Sequence, residues 1–248
     1  MKERREIERA AGIVNEPQVH ALIPAAGRSV RFGGTMLKQY THLMGQPVMA
    51  HSIAAVRRHP IIKRVTVALA PDDGIYDDLI RPVYPDVTTV TGGDSRAQTV
   101  INGLMFIREI DPACEWVLVH DAARPCLSGS SLDDLLTHGL ASESGAILAV
   151  PISDTLKLAD ENGFIASTVD RTSYWSAQTP QLFRIDQLLT NLDSSLARGL
   201  APTDEAAAME SAGVHPLLVR GSTSNIKITG SEDLALAEFI LHNLVVME

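Results

Sequence analysis

Two positive side chains, Arg31 and Lys38, follow a run of small residues, Pro24-Ala25-Ala26-Gly27. Small residues let a backbone lie against a ligand and turn its N–H groups toward it. With cations to neutralise charge, these are the parts of a polyphosphate site. A second small-residue turn, Gly92-Gly93-Asp94-Ser95-Arg96 with Thr99 just beyond, offers amides and a hydroxyl that could read a nucleobase edge. Taken alone, a tight turn with a helix N-cap explains that segment equally well. Asp121 follows the apolar run Trp116-Val117-Leu118-Val119-His120. A carboxylate at the end of a buried strand is costly unless it is paired or bound to a metal. Mg²⁺ held by one or two carboxylates and substrate phosphates is one solution. Pairing with Arg124, three residues on, is the purely structural alternative. His120 should face the opposite side of the strand from Asp121, which suits a supporting histidine better than a catalytic base. Arg171, Thr203, Lys227 and Thr229 stand at chain breaks or strand ends, where Arg and Lys could hold a second anion.

Neither common nucleotide loop fits the first segment. A dinucleotide turn needs G-x-G-x-x-G, and position 29 is Ser. A P-loop needs G-x-x-x-x-G-K-[ST], but Gly27 and Gly33 are six apart and Gly34 is followed by Thr35. Nor is there a G-x-S-x-G elbow or a C-x-x-C pair to support a protein nucleophile.

Positioning these groups requires a scaffold. Strand-like runs at 21–23, 65–69, 87–90, 116–120 and 146–150 alternate with helical segments at 47–58, 95–107 and 132–140. That rhythm predicts an α/β fold with a doubly wound, mostly parallel sheet, which binds ligands outside the carboxyl ends of its strands. The segments 24–38, 92–96 and 121–125 all fall there. From Pro151 to Tyr174 the rhythm breaks. Two extended pieces, 155–158 and 165–169, flank Asp160-Glu161-Asn162-Gly163, the signature of an inserted β-hairpin arm. Such an arm either grips a partner or is a surface excursion without a role. Thr203-Asp204 caps a helix over 205–212, strands follow at 217–219 and 225–228, and a closing helix spans 234–245. Residues 1–18 are a polar N-terminal extension, and 19–248 form one domain.

Net charge is −9 over 248 residues. This argues against general nucleic-acid binding, which needs a basic face, and requires any anion site to be locally basic. Cys114 and Cys126 flank an extended run, which disfavours both a disulfide and a zinc site. Without a secretory signal or a membrane-spanning stretch, the cytoplasm is the expected compartment.

In order along the chain stand P-A-A-G-x(3)-R-x(6)-K-Q-Y at 24–40, G-G-D-x-R at 92–96, V-L-V-H-D-A-A-R-P at 117–125 and D-T-L-K at 154–157. V-D-R at 169–171, T-P-Q at 179–181, T-D-E-A at 203–206 and N-I-K-I-T at 225–229 follow. Together they closely resemble the 2-C-methyl-D-erythritol 4-phosphate cytidylyltransferases of the non-mevalonate isoprenoid pathway, over about residues 19–245. The resemblance implies a Rossmann-like nucleotidyltransferase in which the acceptor phosphate attacks the α-phosphorus of CTP and pyrophosphate leaves, with Mg²⁺ assisting. It implies that Arg31 and Lys38 hold the triphosphate and stabilise the transition state. Pro24, Ala25, Ala26 and Gly27 would line the nucleotide, with Gly93, Asp94 and Thr99 near the cytosine. Asp121 would bind Mg²⁺ and, with Ala122, touch the ribose side. Arg171 and Lys227, with Thr203 nearby, would orient the attacking phosphate. It further implies a homodimer whose arms, at about 151–174, are exchanged, so that Thr155 and Arg171 complete the partner's site.

Two positions depart from the family pattern: Ser29 stands where Gly is usual, and Leu37 where Pro is usual. The first adds a Cβ near phosphate, and the second is expected to loosen the start of the helix bearing Lys38. Two rival functions remain at this point. One is a cytidylyltransferase for another polyol phosphate such as ribitol 5-phosphate. The other is a non-catalytic nucleotide-binding dimer.

Overall fold

The computed structural model describes residues 17–27 and 37–247. In chain order, β1 is Val19–Pro24, followed by a 3₁₀ turn at Lys38–Tyr40, the short strands β2 (His42–Leu43) and β3 (Gln46–Pro47), and α1 (Val48–Arg57). Next come β4 (Ile62–Leu69), α2 (Tyr76–Leu79), β5 (Thr88–Thr91), α3 (Arg96–Ile110), β6 (Trp116–Val119), α4 (Gly129–Gly139) and β7 (Ala146–Pro151). The hairpin strands are β8 (Leu156–Ala159) and β9 (Ile165–Val169). The chain ends with β10 (Trp175–Arg184), α5 (Ile185–Ala197), α6 (Glu205–Glu210), β11 (Leu217–Arg220) and α7 (Glu232–Met247).

Seven strands form one sheet in the order β11-β7-β10-β6-β1-β4-β5. All pairings are parallel except those of β10, which runs antiparallel to both β6 and β7. Side-chain alternation splits the core in two. Val19, Ala21, Ile23, Trp116, Leu118, Ala146 and Leu148 face α1 and α4. Leu22, Val117, Val119, Ile147 and Phe183 face α3, α5 and α6. Both faces are covered, as a doubly wound sheet demands.

The structure corrects the sequence reading in two places. Residues 175–184 form the long antiparallel strand and 185–197 a helix, where the pattern suggested only a return to the body. Residues 225–228 are not a strand of the sheet. Their backbone donors turn inward to Ser222, Ser224 and the carbonyl of Ala123. The antiparallel β10 makes the sheet mixed while it stays mostly parallel, as expected. As for the cysteines, Cys114 and Cys126 are buried, free, and in separate core clusters. No helix among the described residues is long and apolar enough to cross a membrane.

The hairpin at 160–163 forms as expected. Gly163 takes φ +85°, and the Asp160 side chain accepts from the N–H groups of Asn162 and Phe164. Among the described residues its strands pair only with each other, and it carries Leu158, Phe164 and Ile165 exposed, Phe164 by 72 %.

Candidate active site

Beyond the carboxyl ends of β1, β4, β5 and β6 lies a cavity of about 620 Å³. Pro24, Ala25, Ala26 and Gly27 form one wall, and Gly93, Asp94, Arg96 and Thr99 form another. Lys38, Asp121, Ala122 and Lys227 complete it. The two small-residue turns meet because Gly92 permits it. A Cβ there would lie 2.6 Å from the Cβ of Ala26, closer than real contacts allow, and a tight 3.1 Å from the carbonyl of Leu69.

Lys38 is set by its two neighbours. Gln39, 3 % exposed, donates through Nε2 to the carbonyl of Ala25 at 3.2 Å, and the hydroxyl of buried Tyr40 donates to Asp73 at 2.6 Å. Those anchors fix the 3₁₀ turn so that its first residue faces the cavity. Leu37 has φ −65°, the angle a proline ring imposes, and packs against the core. The expected loosening is therefore opposed by burial. Arg31 and Ser29 lie outside the described residues.

Asp121 is the centre of charge. Nζ of Lys227 is 2.8 Å from its Oδ2, Nε of Arg124 is 3.5 Å from the same oxygen, and Nη2 of Arg96 is 3.4 Å from Oδ1. Burial works to raise the Asp121 pKa, but Lys227, Arg96 and Arg124 outweigh it and hold the carboxyl well below the usual carboxylate range. The structural pair with Arg124 thus exists alongside the cavity-facing role. Arg96 is locked from behind, since its guanidinium donates to both oxygens of fully buried Glu205, at 2.6 and 3.0 Å. A bidentate pair of this kind fixes the guanidinium plane as well as its charge.

Lys227 reaches Asp121 from a distant part of the sequence. Asn225 and Ile228, both fully buried, flank it. The main-chain N–H of Ile228 donates to Ala123 at 2.8 Å, and Arg124 donates to the carbonyl of Asn225 at 2.6 Å. The segment is stapled to the 121–125 turn, leaving Lys227 toward the cavity.

On the nucleotide side, Thr99 accepts from the N–H of Gly93 at 3.1 Å and donates to the carbonyl of Ser95 at 2.8 Å. Ser95 is the N-cap of α3. The N-cap reading of this turn therefore holds, and the same turn still faces the cavity.

Among the described lining residues the charges balance, with Lys38, Arg96 and Lys227 against Asp72, Asp94 and Asp121. The expected local excess of positive charge is not supplied by these residues alone. Arg171, Thr155 and Thr203 do not line the cavity. All three are exposed, and Arg171 donates to the carbonyl of Ser153 within the arm. Asp204, and not Thr203, caps α6. Sequence reasoning assigned no role to Arg96, Glu205, Thr179 or Asn225, although all four lie inside segments it singled out.

Comparison with known proteins follows the same segments. Residues 19–243 match the family described as 2-C-methyl-D-erythritol 4-phosphate cytidylyltransferase. A protein of that name from Xanthomonas campestris pv. campestris is 47% identical over 225 residues, covering 91% of this chain and 85% of the relative. One from Vibrio vulnificus is 44% identical over 221 residues, covering 89% and 93%. A crystal structure described as 4-diphosphocytidyl-2C-methyl-D-erythritol synthase superimposes with a TM-score of 0.80 at 38% identity, covering 92% of this chain and 100% of that one.

Proposed function

This chain belongs to the 2-C-methyl-D-erythritol 4-phosphate cytidylyltransferase family, and on that premise we propose that it transfers CMP from CTP to 2-C-methyl-D-erythritol 4-phosphate. The products are 4-CDP-2-C-methyl-D-erythritol and pyrophosphate. The observation that carries the reading is the convergence on one cavity of Lys38, Arg96, Asp121 and Lys227, drawn from four separate segments.

Nucleotidyl transfer needs in-line positioning and compensation of charge more than covalent help. The small-residue wall 24–27 takes the triphosphate, and Lys38, with Arg31, stabilises the charge that builds as the P–O bond to pyrophosphate breaks. Gly93, Asp94 and Thr99 take the cytosine, and Ala122 lies beside the ribose. Lys227 turns from Asp121 to the acceptor phosphate and brings its oxygen to the α-phosphorus. No group of three metal-ligating side chains stands among the described residues, so Mg²⁺ would have Asp121 as its protein ligand and phosphates for the rest. This donor set would fit, because the Asp121 carboxylate lines the cavity and Mg²⁺ takes oxygen ligands from carboxylates and substrate phosphates. When bound, the ion neutralises phosphate charge that the balanced lining leaves uncompensated.

The arm completes the site across a homodimer. Its exposed apolar side chains suit a protein partner, and Arg171 and Thr155, away from this chain's cavity, would serve the neighbour's acceptor phosphate. Residues 1–18 stand outside the catalytic domain, 19–248, and the enzyme works in the cytoplasm.

The assay is pyrophosphate release from CTP and Mg²⁺ with each acceptor in turn. Methylerythritol phosphate should be turned over with the higher kcat/KM. A preference for ribitol 5-phosphate, or nucleotide binding without turnover on any acceptor, would overturn the assignment.

A further inference from the structure

Three parts of the fold meet at Thr179 in β10, a residue only 4 % exposed. Its Oγ1 accepts the main-chain N–H of Asp121 at 2.9 Å and lies 3.1 Å from Nδ1 of His120. Its carbonyl accepts from Nδ2 of Asn225 at 2.9 Å, two residues before Lys227. The second ring nitrogen of His120, Nε2, lies 3.0 Å from the carbonyl oxygen of Arg124. None of Thr179, His120 and Asn225 lines the cavity.

The direction of this chain can be worked out. A carbonyl oxygen only accepts, so Nε2 of His120 must carry a proton. The buried Thr179 hydroxyl already accepts the N–H of Asp121, and Nδ1 of His120 is the side-chain acceptor within its reach among the described residues, so Nδ1 takes its proton. The hydroxyl of Thr179 therefore donates to Nδ1, and its lone pair takes the N–H of Asp121. Every bond runs one way, from Asp121 through Thr179 and His120 to the carbonyl of Arg124. The chain closes the 121–124 turn on itself from behind, while the carbonyl of Thr179 holds the segment bearing Lys227. Both ends of the Asp121–Lys227 pair are thus registered on one residue.

We propose that Thr179, acting through His120 and Asn225, is a positioning residue for the transfer, setting where Asp121 and Lys227 stand and hence where the two phosphates meet. The proposal rests on the cytidylyltransferase reading above. Thr179→Val keeps the side chain's shape and removes both of its hydrogen bonds. A misplacement of about 1 Å at a reacting centre costs on the order of 10²-fold, so kcat should fall by about that factor. KM for CTP should stay within about threefold, because the nucleotide walls are untouched. Thr179→Ser, which restores the hydroxyl, should recover most of kcat. A merely structural threonine would lower the melting temperature and leave kcat per folded molecule unchanged, and that result would overturn the proposal. Nitrogen-15 shifts of the imidazole in the wild-type dimer give a second readout that needs no variant. Protonation on Nε2 is expected, and protonation on Nδ1 would contradict the chain's direction, even if Thr179→Val does not fold. A wild-type enzyme inactive with both substrates would count against the function itself. An active wild type with a fully active Thr179→Val would count against this inference alone.

Discussion

Replacing Lys38 by Ala is expected to lower kcat by about 10²–10³, or about 2.7–4 kcal/mol of transition-state stabilisation, the typical loss for one preorganised electrostatic donor. Among the described residues, the other cations lining the cavity are already engaged. Arg96 is held on both oxygens of Glu205, and Lys227 is 2.8 Å from Asp121 on another wall. The fold should persist, because Gln39 and Tyr40 anchor the turn. Single-turnover kinetics with saturating CTP and acceptor measures the loss, and circular dichroism checks the fold. Turnover at the wild-type rate would remove Lys38 from the transition state.

The second large effect concerns the arm. Arg171→Ala alone should be severely impaired, since it removes one cation from the acceptor phosphate. Mixed with Lys38→Ala protein, however, it should regain activity. If arms are exchanged, each such heterodimer contains one site with both residues intact and one site lacking both. About half of the wild-type rate per dimer is then expected, as the symmetry of a two-site dimer dictates. If each arm serves its own subunit, both sites are damaged and no rescue appears. Verified heterodimers, purified through two different tags, separate the two outcomes, and an inactive heterodimer would rule out exchange.

Much of the scaffold is legible in the sequence, for physical reasons that also explain the failures. The runs at 116–120 and 146–150 are continuously apolar because both sheet faces are covered, and such runs can be read directly. β10 is not readable in this way. Its centre, Gln178-Thr179-Pro180-Gln181, carries polar groups and a proline, and looks like a loop. Those groups are buried because tertiary partners satisfy them. Gln181 donates to Asp204 and accepts from the N–H of Ala206, Gln178 donates to the carbonyl of Ser222, and the strand pairing with β7 shifts register between Ala177 and Gln181. The helix after it starts at once, with no capping side chain at Arg184, so no boundary signal marks it. Conversely, the alternation Asn225-Ile226-Lys227-Ile228 imitates a strand. Its partner is the 121–125 turn, and nothing local reveals that.

The same distinction holds in the site. Residues that face the cavity, such as Lys38, Asp121 and Lys227, announce themselves by charge next to small residues. Residues that hold them do not. Glu205 reads as an ordinary first-turn acid of a helix, yet it is wholly buried against Arg96. Thr179 and Asn225 read as turn residues, and only the folded chain shows what they touch.

The proposed transfer is a direct, single displacement at the α-phosphorus, with the protein supplying charge and alignment and no nucleophile. Among the described residues, the hydroxyls lining the cavity are already engaged, Ser95 as an N-cap and Thr99 in bonding Gly93 and Ser95. Stereochemistry at phosphorus tests this most directly, using one diastereomer of α-thio-CTP with methylerythritol phosphate and phosphorus NMR of the product. Inversion at the α-phosphorus is the predicted result. Retention, which requires two displacements through a nucleotidylated side chain, would contradict it.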